Sequence, residues 1–348
     1  MKVRGLERLR RTVRSLRNRL IPPGLILLYH RVAEVQSNPW LLSVTPRHFA
    51  EHLEVLRKVG RPMRLQHLVN DLRQGKSLYR SLVVTFDDGY ADNLYNAKPL
   101  LERYEIPATI FLTTGCMGQD REFWWDELDR LLLQPGRLPT TLHLNIGGTN
   151  HHWDLDEAAD YDEDAARQHR NWRPWNKHDP SARQSLYRAL HHLLRPMPAD
   201  EQRKALENLV IWSSATPGGR PSYRTLTIQE ILMLAQSDLV DIGSHTVTHP
   251  VLSARPMAAQ REEIEDSKVR LEEIVGGPVR SFAYPYGGRS DYTAETRALV
   301  QQAGFECACT VSANVVGRAA DPFRLPRLHV QDWDGEKFSQ LLSRWLDG

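Results

Sequence analysis

Leu82-Val83-Val84-Thr85-Phe86-Asp87-Asp88-Gly89-Tyr90 decides how the rest of the chain is read. Its first residues are apolar or β-branched, the composition of a buried strand, and the run stops abruptly at two carboxylates and a glycine. Within a strand, neighbouring side chains point to opposite faces, so Asp87 and Asp88 would be separated there. Just past the strand end, where Gly89 permits a tight turn, both can face one pocket. Two acids so placed can divide the work, one holding a metal and the other handling protons. Taken alone, Asp-Asp-Gly is more commonly a turn whose carboxylates bond local backbone N–H groups and cap the next helix.

Outward from this stretch the chain alternates between strand and helix patterns. Leu25 to His30 reads as a buried strand. Thr45-Pro46 starts a helix with Phe49, Leu53 and Leu56 on its buried face, and Gly60 stops it. A shorter helix is expected around Gln66 to Arg73, a helix bent at Pro99 over Asn93 to Tyr104, and a strand over Ala108 to Thr113. From about Gly115 to Tyr223 the pattern breaks into a segment rich in Trp, His, Pro and charge, with helical pieces at Asp126 to Leu133 and Ala199 to Trp212. It reads as an insertion at about 115–225, lying over the carboxyl ends of the strands. Its histidine pairs, His151-His152 and His191-His192, are expected to be solvated rather than metal-bound. Alternation resumes with Thr227-Ile228-Gln229-Glu230, a capping box. Strands follow at Leu239 to Gly243, Ser281 to Tyr284, Phe305 to Val311 and Leu325 to Val330, separated by helices at Arg255 to Val275 and Tyr292 to Ala303. Lys337 to Leu346 is the closing helix. Repeated alternation predicts a mostly parallel sheet of the α/β class with one shared active edge. Periodicity alone leaves both a (β/α) barrel and an open doubly wound sheet in play.

At 348 residues, 41% hydrophobic and 25% charged, the composition is that of a soluble globular protein able to bury a substantial core. Three cysteines, Cys116, Cys307 and Cys309, make no disulfide framework and are read as core residues in a reducing compartment. The net charge of +2 hides an asymmetry: residues 1–20 carry eight Lys or Arg against Glu7, or +7, which leaves −5 on the remainder. Leu6, Leu9, Val13, Leu16 and Leu20 draw one stripe down a helix in that arm. Residues 1–23 are therefore expected to form a basic amphipathic helix, either lying on an anionic membrane surface or docked on the protein itself. The arm lacks the apolar segment of a secretory signal, so a cytoplasmic location is expected, peripheral on the inner membrane surface if the arm binds it, with no nucleic-acid partner.

His245 and His249, in Ser244-His245-Thr246-Val247-Thr248-His249-Pro250, lie four apart. Gly243, the β-branched run and Pro250 argue for a strand exit and turn rather than a helix. Joined to Asp88 they supply two nitrogens and a carboxylate, leaving coordination positions open as a catalytic zinc site requires. These motifs, with Phe282-Ala283-Tyr284-Pro285-Tyr286-Gly287, resemble those of the polysaccharide deacetylase family, the nodulation-type chitooligosaccharide deacetylase homology domain, in the expected order along residues 24–330. The resemblance implies a distorted (β/α) barrel of about seven parallel strands over 24–348. It implies one divalent metal, with zinc the expected ion, held by Asp88, His245 and His249. Asp87 matches the family's first aspartate, the general base, and Tyr284 and Tyr286 fall in a motif that binds substrate, although either can equally be a plain barrel-lining aromatic. Two departures stand out. Many members carry an arginine before Pro-Tyr that tethers the base, and this chain has Ala283 there. The late motif with the acid histidine reads Leu325-Pro326-Arg327-Leu328-His329, which puts His329 in a shifted context, with His30 at the first strand's end as its rival.

The resemblance implies a hydrolase removing an N-acetyl or other acyl group from an amino sugar, saccharide or glycan precursor. The alternatives are a deformylase or cyclic-amide hydrolase on the same site, or a carbohydrate-binding relative without turnover. The insertion's tryptophans suit stacking on sugar rings but also serve as ordinary core.

Overall fold

The computed structural model describes residues 23–347. The expected basic helix of the first residues lies outside them. Among the described residues, no helix is long and apolar enough to cross a membrane.

Seven parallel strands follow one another along the chain: β1 (Leu25–Tyr29), β2 (Ser81–Phe86), β3 (Ala108–Leu112), β4 (Val240–Ser244), β5 (Ser281–Ala283), β6 (Cys307–Cys309) and β7 (Leu328–His329). Their order across the sheet is β6-β5-β4-β3-β2-β1-β7, with the two-residue strand Arg61–Pro62 paired beside β2. Chain order and sheet order therefore run together, and one segment joins the two edges. Leu325 bonds β6 on one side, its N–H donating to Ala308 O at 2.9 Å and its carbonyl accepting from Thr310 N at 2.8 Å. Val330 N donates to Leu28 O of β1 at 2.9 Å. A doubly wound sheet has no such joining segment, so the sheet is a distorted barrel.

Strand alternation sorts the side chains into two shells. Ile26, Val83, Phe111, Ala283, Cys307, Cys309 and Leu325 pack together on one face, and the free thiols of Cys307 and Cys309 are fully buried there. The helix α2 (Leu65–Arg73) adds Leu65, Leu68, Val69 and Leu72 to the same cluster. The alternate positions, among them Leu27, Tyr29, Val84, Phe86, Ile110, Phe282 and Ala308, form the larger outer core under the helices. Helix α1 (Pro46–Val59) supplies Phe49, Leu53 and Leu56 to it, and its Thr45 cap accepts from His48 N. A Cβ on Gly60 would stand 2.7 Å from Arg80 O, so only glycine lets the chain leave α1 so close to the neighbouring backbone.

The helix expected over Asn93 to Tyr104 is divided. Asn93–Ala97 is a widened π turn, and regular α-helix (α3) runs from Lys98–Tyr104. Pro99 has no N–H to donate and its ring crowds the carbonyl four residues back, and a wider turn accommodates both.

The segment between β3 and β4 has its own core. Helices α4 (Trp124–Leu132), α5 (Ala182–Leu194) and α6 (Ala199–Ser213) pack with a hairpin, Thr141–Ile146 and Thr149–Asp154, around Leu128, Leu142, Leu190 and Leu209. Arg220 ties the ends of the segment together, pairing with Glu122 at 2.7 Å and Asp129 at 3.0 Å. Trp40, Leu42 and Tyr286 pack against this core. The chain then returns through α7 (Ile228–Ala235), opened by the capping box, α8 (Met257–Val275), α9 (Ala294–Gln302) and α10 (Gly335–Leu346).

Candidate active site

The site forms where β2 and β4 end. Val83 and Thr85 alternate toward the interior, and Asp87 continues that parity, its N–H still paired to Tyr29 O at 3.0 Å. Asp88 would point away, but its backbone is left-handed (φ 74°) and so is that of Gly89 (φ 79°), which closes a turn with Gly89 N on Asp87 O at 3.0 Å. The turn swings Asp88 back to the same side. A Cβ on Gly89 would meet Leu112 at 2.6 Å, so this position demands glycine twice over.

His245 leaves β4, and Thr246 (φ 69°) and His249 (φ 60°) are again left-handed. His249 N donates to Thr246 Oγ1 at 3.0 Å, and Glu263 of α8 accepts from Val247 N and Thr248 N, each at 2.8 Å. With Tyr286 (φ 59°), four non-glycine residues around one site adopt a conformation that costs free energy, as active-site backbones often do.

The ligand atoms of Asp88, His245 and His249 lie within 4.8 Å of one another, all three residues buried. Asp88 Oδ1 is 3.5 Å from the Nε2 of each imidazole and has no hydrogen-bond partner. His245 Nδ1 sits 2.7 Å from Ala283 O; a carbonyl only accepts, so Nδ1 carries the proton and the Nε2 lone pair faces Asp88. Burial lowers the pKa of both histidines, keeping them neutral, the form that binds metal. Burial and the neighbouring Asp87 charge raise the pKa of Asp88, and a cation beside it would favour its ionised form. The His245 lone pair, the second imidazole of His249 and an orphaned carboxylate oxygen converging in a buried cluster fit a divalent metal ion.

Asp87 is held differently. Arg327 donates from both guanidinium arms to its two oxygens at 2.7 Å, and from Nε to Thr310 O at 3.2 Å, with all three residues buried. Burial alone would raise the Asp87 carboxyl, but the Arg327 charge holds it at about 2. Asp87 is therefore tethered by an arginine, from the residue just before β7 rather than from the Ala283 position. Arg327 and Glu263 were missed as site residues, and the Arg-x-His spacing at the end of the chain was the available signal for the former.

These groups open into a cavity of about 450 Å³. His30 and His329 line it side by side, rings 5.3 Å apart and edge to face, each with one buried ring nitrogen unpartnered (His30 Nδ1, His329 Nε2). Burial lowers both, His30 to about 3 and His329 to about 4. Tyr286 lines the cavity with its ring 4.6 Å from that of His249. Tyr284 is not brought there, which corrects its expected role. Its hydroxyl donates to Phe323 O at 3.1 Å and its ring stacks on Tyr292 at 4.2 Å, in the outer core, because Ala283 before it faces inward. His191, expected to be solvated, is in the cavity wall between Trp40 and Trp124.

Residues 74–139 and 218–308 match the family model for polysaccharide deacetylase, and the gap between the two matched stretches falls in the inserted segment. YxkH of Bacillus subtilis (strain 168), which carries a provisional polysaccharide deacetylase name, is 26% identical over 141 residues, 39% of this chain. The match spans about half of that protein (48%). The fold is that of a Streptococcus pyogenes deacetylase, PplD, solved with acetate, at 17% identity and TM-score 0.56, over 93% of this chain and 99% of that one. It is equally that of IcaB from Ammonifex degensii, at 19% identity and TM-score 0.57, over 94% and 98%. The strand-end aspartates and the histidine pair fall inside the stretches that match the polysaccharide deacetylase model and meet at the mouth of this barrel, so over those stretches the chain is similar to that family.

Proposed function

We propose that the protein is a metal-dependent hydrolase that removes an N-acetyl group from an amino sugar in a saccharide or glycan precursor. The observation that carries this reading is the pairing of two differently held aspartates in one cavity. Asp88 converges with His245 and His249 within 4.8 Å, while Asp87 is locked beside them by Arg327. A binding protein has no use for a metal cluster with an adjacent tethered base.

A divalent cation held by Asp88, His245 and His249 would polarise the acyl carbonyl and lower the pKa of a water bound there. Asp87, held in its ionised form by the Arg327 charge, accepts the proton of the attacking water. Arg327 keeps both its oxygens in place and takes no proton itself. The backbone N–H of Tyr286 is the donor assigned to the oxyanion that forms when water oxygen adds to the carbonyl carbon. The C–N bond then breaks, the nitrogen takes a proton, and acetate and the free amine leave. His329 is assigned that proton delivery. Burial keeps His329 neutral at rest, so the proton it passes to the nitrogen is the one that Asp87 takes from the water, and Asp87 ends ionised.

The test is a screen of N-acetylated sugars and lipid-linked sugars for amine release, with metal-depleted protein as control. Metal-dependent release on any of them supports the reading. Release of formate from formylated analogues, or opening of cyclic amides, with none from acetylated sugars would transfer the same site to another acyl substrate.

A further inference from the structure

Tyr286 carries a left-handed backbone (φ 59°) in the loop after β5, and Gly287 beside it is left-handed too (φ 65°). Such a conformation persists in a non-glycine residue only where its surroundings hold it. The Tyr286 N–H assigned to the oxyanion depends on that conformation, because a donor works there only if it is aimed before the charge forms. The barrel supplies part of the hold: Gly287 N donates to Pro285 O at 2.6 Å, and Val311 N donates to Gly287 O at 2.9 Å. The rest comes from the inserted segment.

Arg195 is the residue directly after α5. A cation at a helix carboxyl end is favoured by the helix dipole whatever lies beyond it. Here its partners are specific. Its Nη2 donates to Asp291 Oδ1 at 2.6 Å, and its guanidinium stands 4.3 Å from the centre of the Tyr286 ring, which also lies 4.6 Å from that of His249. Asp291 is buried and closes the loop on itself: its Oδ2 accepts from Gly288 N at 2.9 Å, and its N–H donates to Gly288 O at 3.0 Å. Just past the histidine loop, Ser253 N donates to Asp291 O at 3.0 Å and Arg255 donates to Pro196 O, which seats the end of α5 on the same part of the barrel. One side chain of the insertion thus grips the 286–291 loop at both ends, by a charge-assisted hydrogen bond and by a cation on an aromatic face. Arg195 also lines the cavity that holds Asp87 and Asp88.

We propose that Arg195 is a positioning residue for the reaction: it holds the Tyr286 N–H where the oxyanion forms, so that the inserted segment completes the active site and does not merely cover it. This rests on the deacetylase reading above. The metal-loaded protein is assayed for kcat and KM on an N-acetylated sugar that releases amine, and the 286–291 loop is followed by hydrogen–deuterium exchange with mass spectrometry. Arg195→Gln should lower kcat on the order of 10–100-fold and leave KM nearly unchanged, because a misaimed oxyanion donor is missed only in the transition state. It should also speed exchange in the 286–291 loop and not in the barrel strands. Arg195→Lys, which keeps the charge, should recover part of both effects. Asp291→Asn keeps an acceptor for Gly288 N but loses the charge facing Arg195; it should match Arg195→Gln, and the double variant should be no worse than either alone. No amine release from the wild type on any substrate would overturn the deacetylase reading, while the exchange comparison still decides whether Arg195 holds the loop. Exchange that Arg195→Gln leaves unmoved, an unchanged kcat, or a raised KM with kcat held would overturn the positioning role.

Discussion

Replacing Arg327 by methionine should destabilise the protein and disable its base together. Asp87 and Arg327 are both buried, joined by two hydrogen bonds of 2.7 Å. Removing one partner of such a pair leaves an uncompensated buried charge, which typically costs about 3–5 kcal/mol. The titration of Asp87 gives a similar order. Its drop from 3.8 to about 2, at about 1.4 kcal/mol per tenfold, is ~2–3 kcal/mol of preference for the ionised carboxylate. Because the folded value lies below the unfolded one, this stabilisation is complete above pH ~4 and is lost as pH falls toward 2. The deficit of Arg327→Met should therefore be largest at neutral pH and shrink in acid, as read by urea unfolding across a pH series. Turnover should fall by up to the roughly 10²–10⁴-fold that a positioned base supplies. Arg327→Lys keeps a charge without the two-pronged geometry and should fall between. Adding Asp87→Asn to Arg327→Met should restore part of the stability and none of the activity. If Arg327→Met unfolds at the wild-type urea concentration and keeps its turnover, the tether has been misread.

Glu263→Ala removes the acceptor of two backbone N–H groups in the histidine loop and should weaken metal affinity about 10–100-fold, the usual effect of losing a group behind the ligands; titration with a metal indicator measures it. His329→Ala is expected to lose amide hydrolysis while keeping most activity on an aryl acetate, whose leaving group needs little protonation. His30→Ala should not show this split, and the reverse pattern would move the acid to the first strand. The basic arm is proposed to bind anionic membrane, so flotation should recover the full chain with anionic but not neutral vesicles, and deletion of residues 1–20 should abolish it. Equal recovery in all cases would leave the arm docked on the protein.

The parts of the site that the sequence announced are those written within one strand end. Asp87, Asp88 and Gly89 are contiguous, and His245 and His249 share one loop. Beyond the Arg-x-His spacing, nothing local marks Arg327 as a tether, because its partner is 240 residues away, across the seam where the barrel closes. Strand parity carried information about Tyr284 that went unused: an inward Ala283 forces its neighbour outward. The insertion hid more order than its composition suggests. Leu142, Leu144 and Ile146 alternate into its core, and Gly147 and Gly148, both left-handed (φ 58° and 83°), make the two-residue hairpin turn that a Gly-Gly pair signals. Helix α5 carries Leu186, Leu190 and Leu194 at four-residue spacing behind a Ser181 cap. Frequent Trp and His in both stretches mask that periodicity.

The central claim is that neighbouring aspartates hold separate roles, Asp88 on the metal and Asp87 on the proton. Metal content and amine release, measured side by side on wild type, Asp88→Asn and Asp87→Asn, test it most directly. Asp88→Asn should lose bound metal and activity together. Asp87→Asn should keep one stoichiometric metal while turnover falls roughly 10²–10⁴-fold. Full metal content in Asp88→Asn, or loss of metal in Asp87→Asn, would contradict the account.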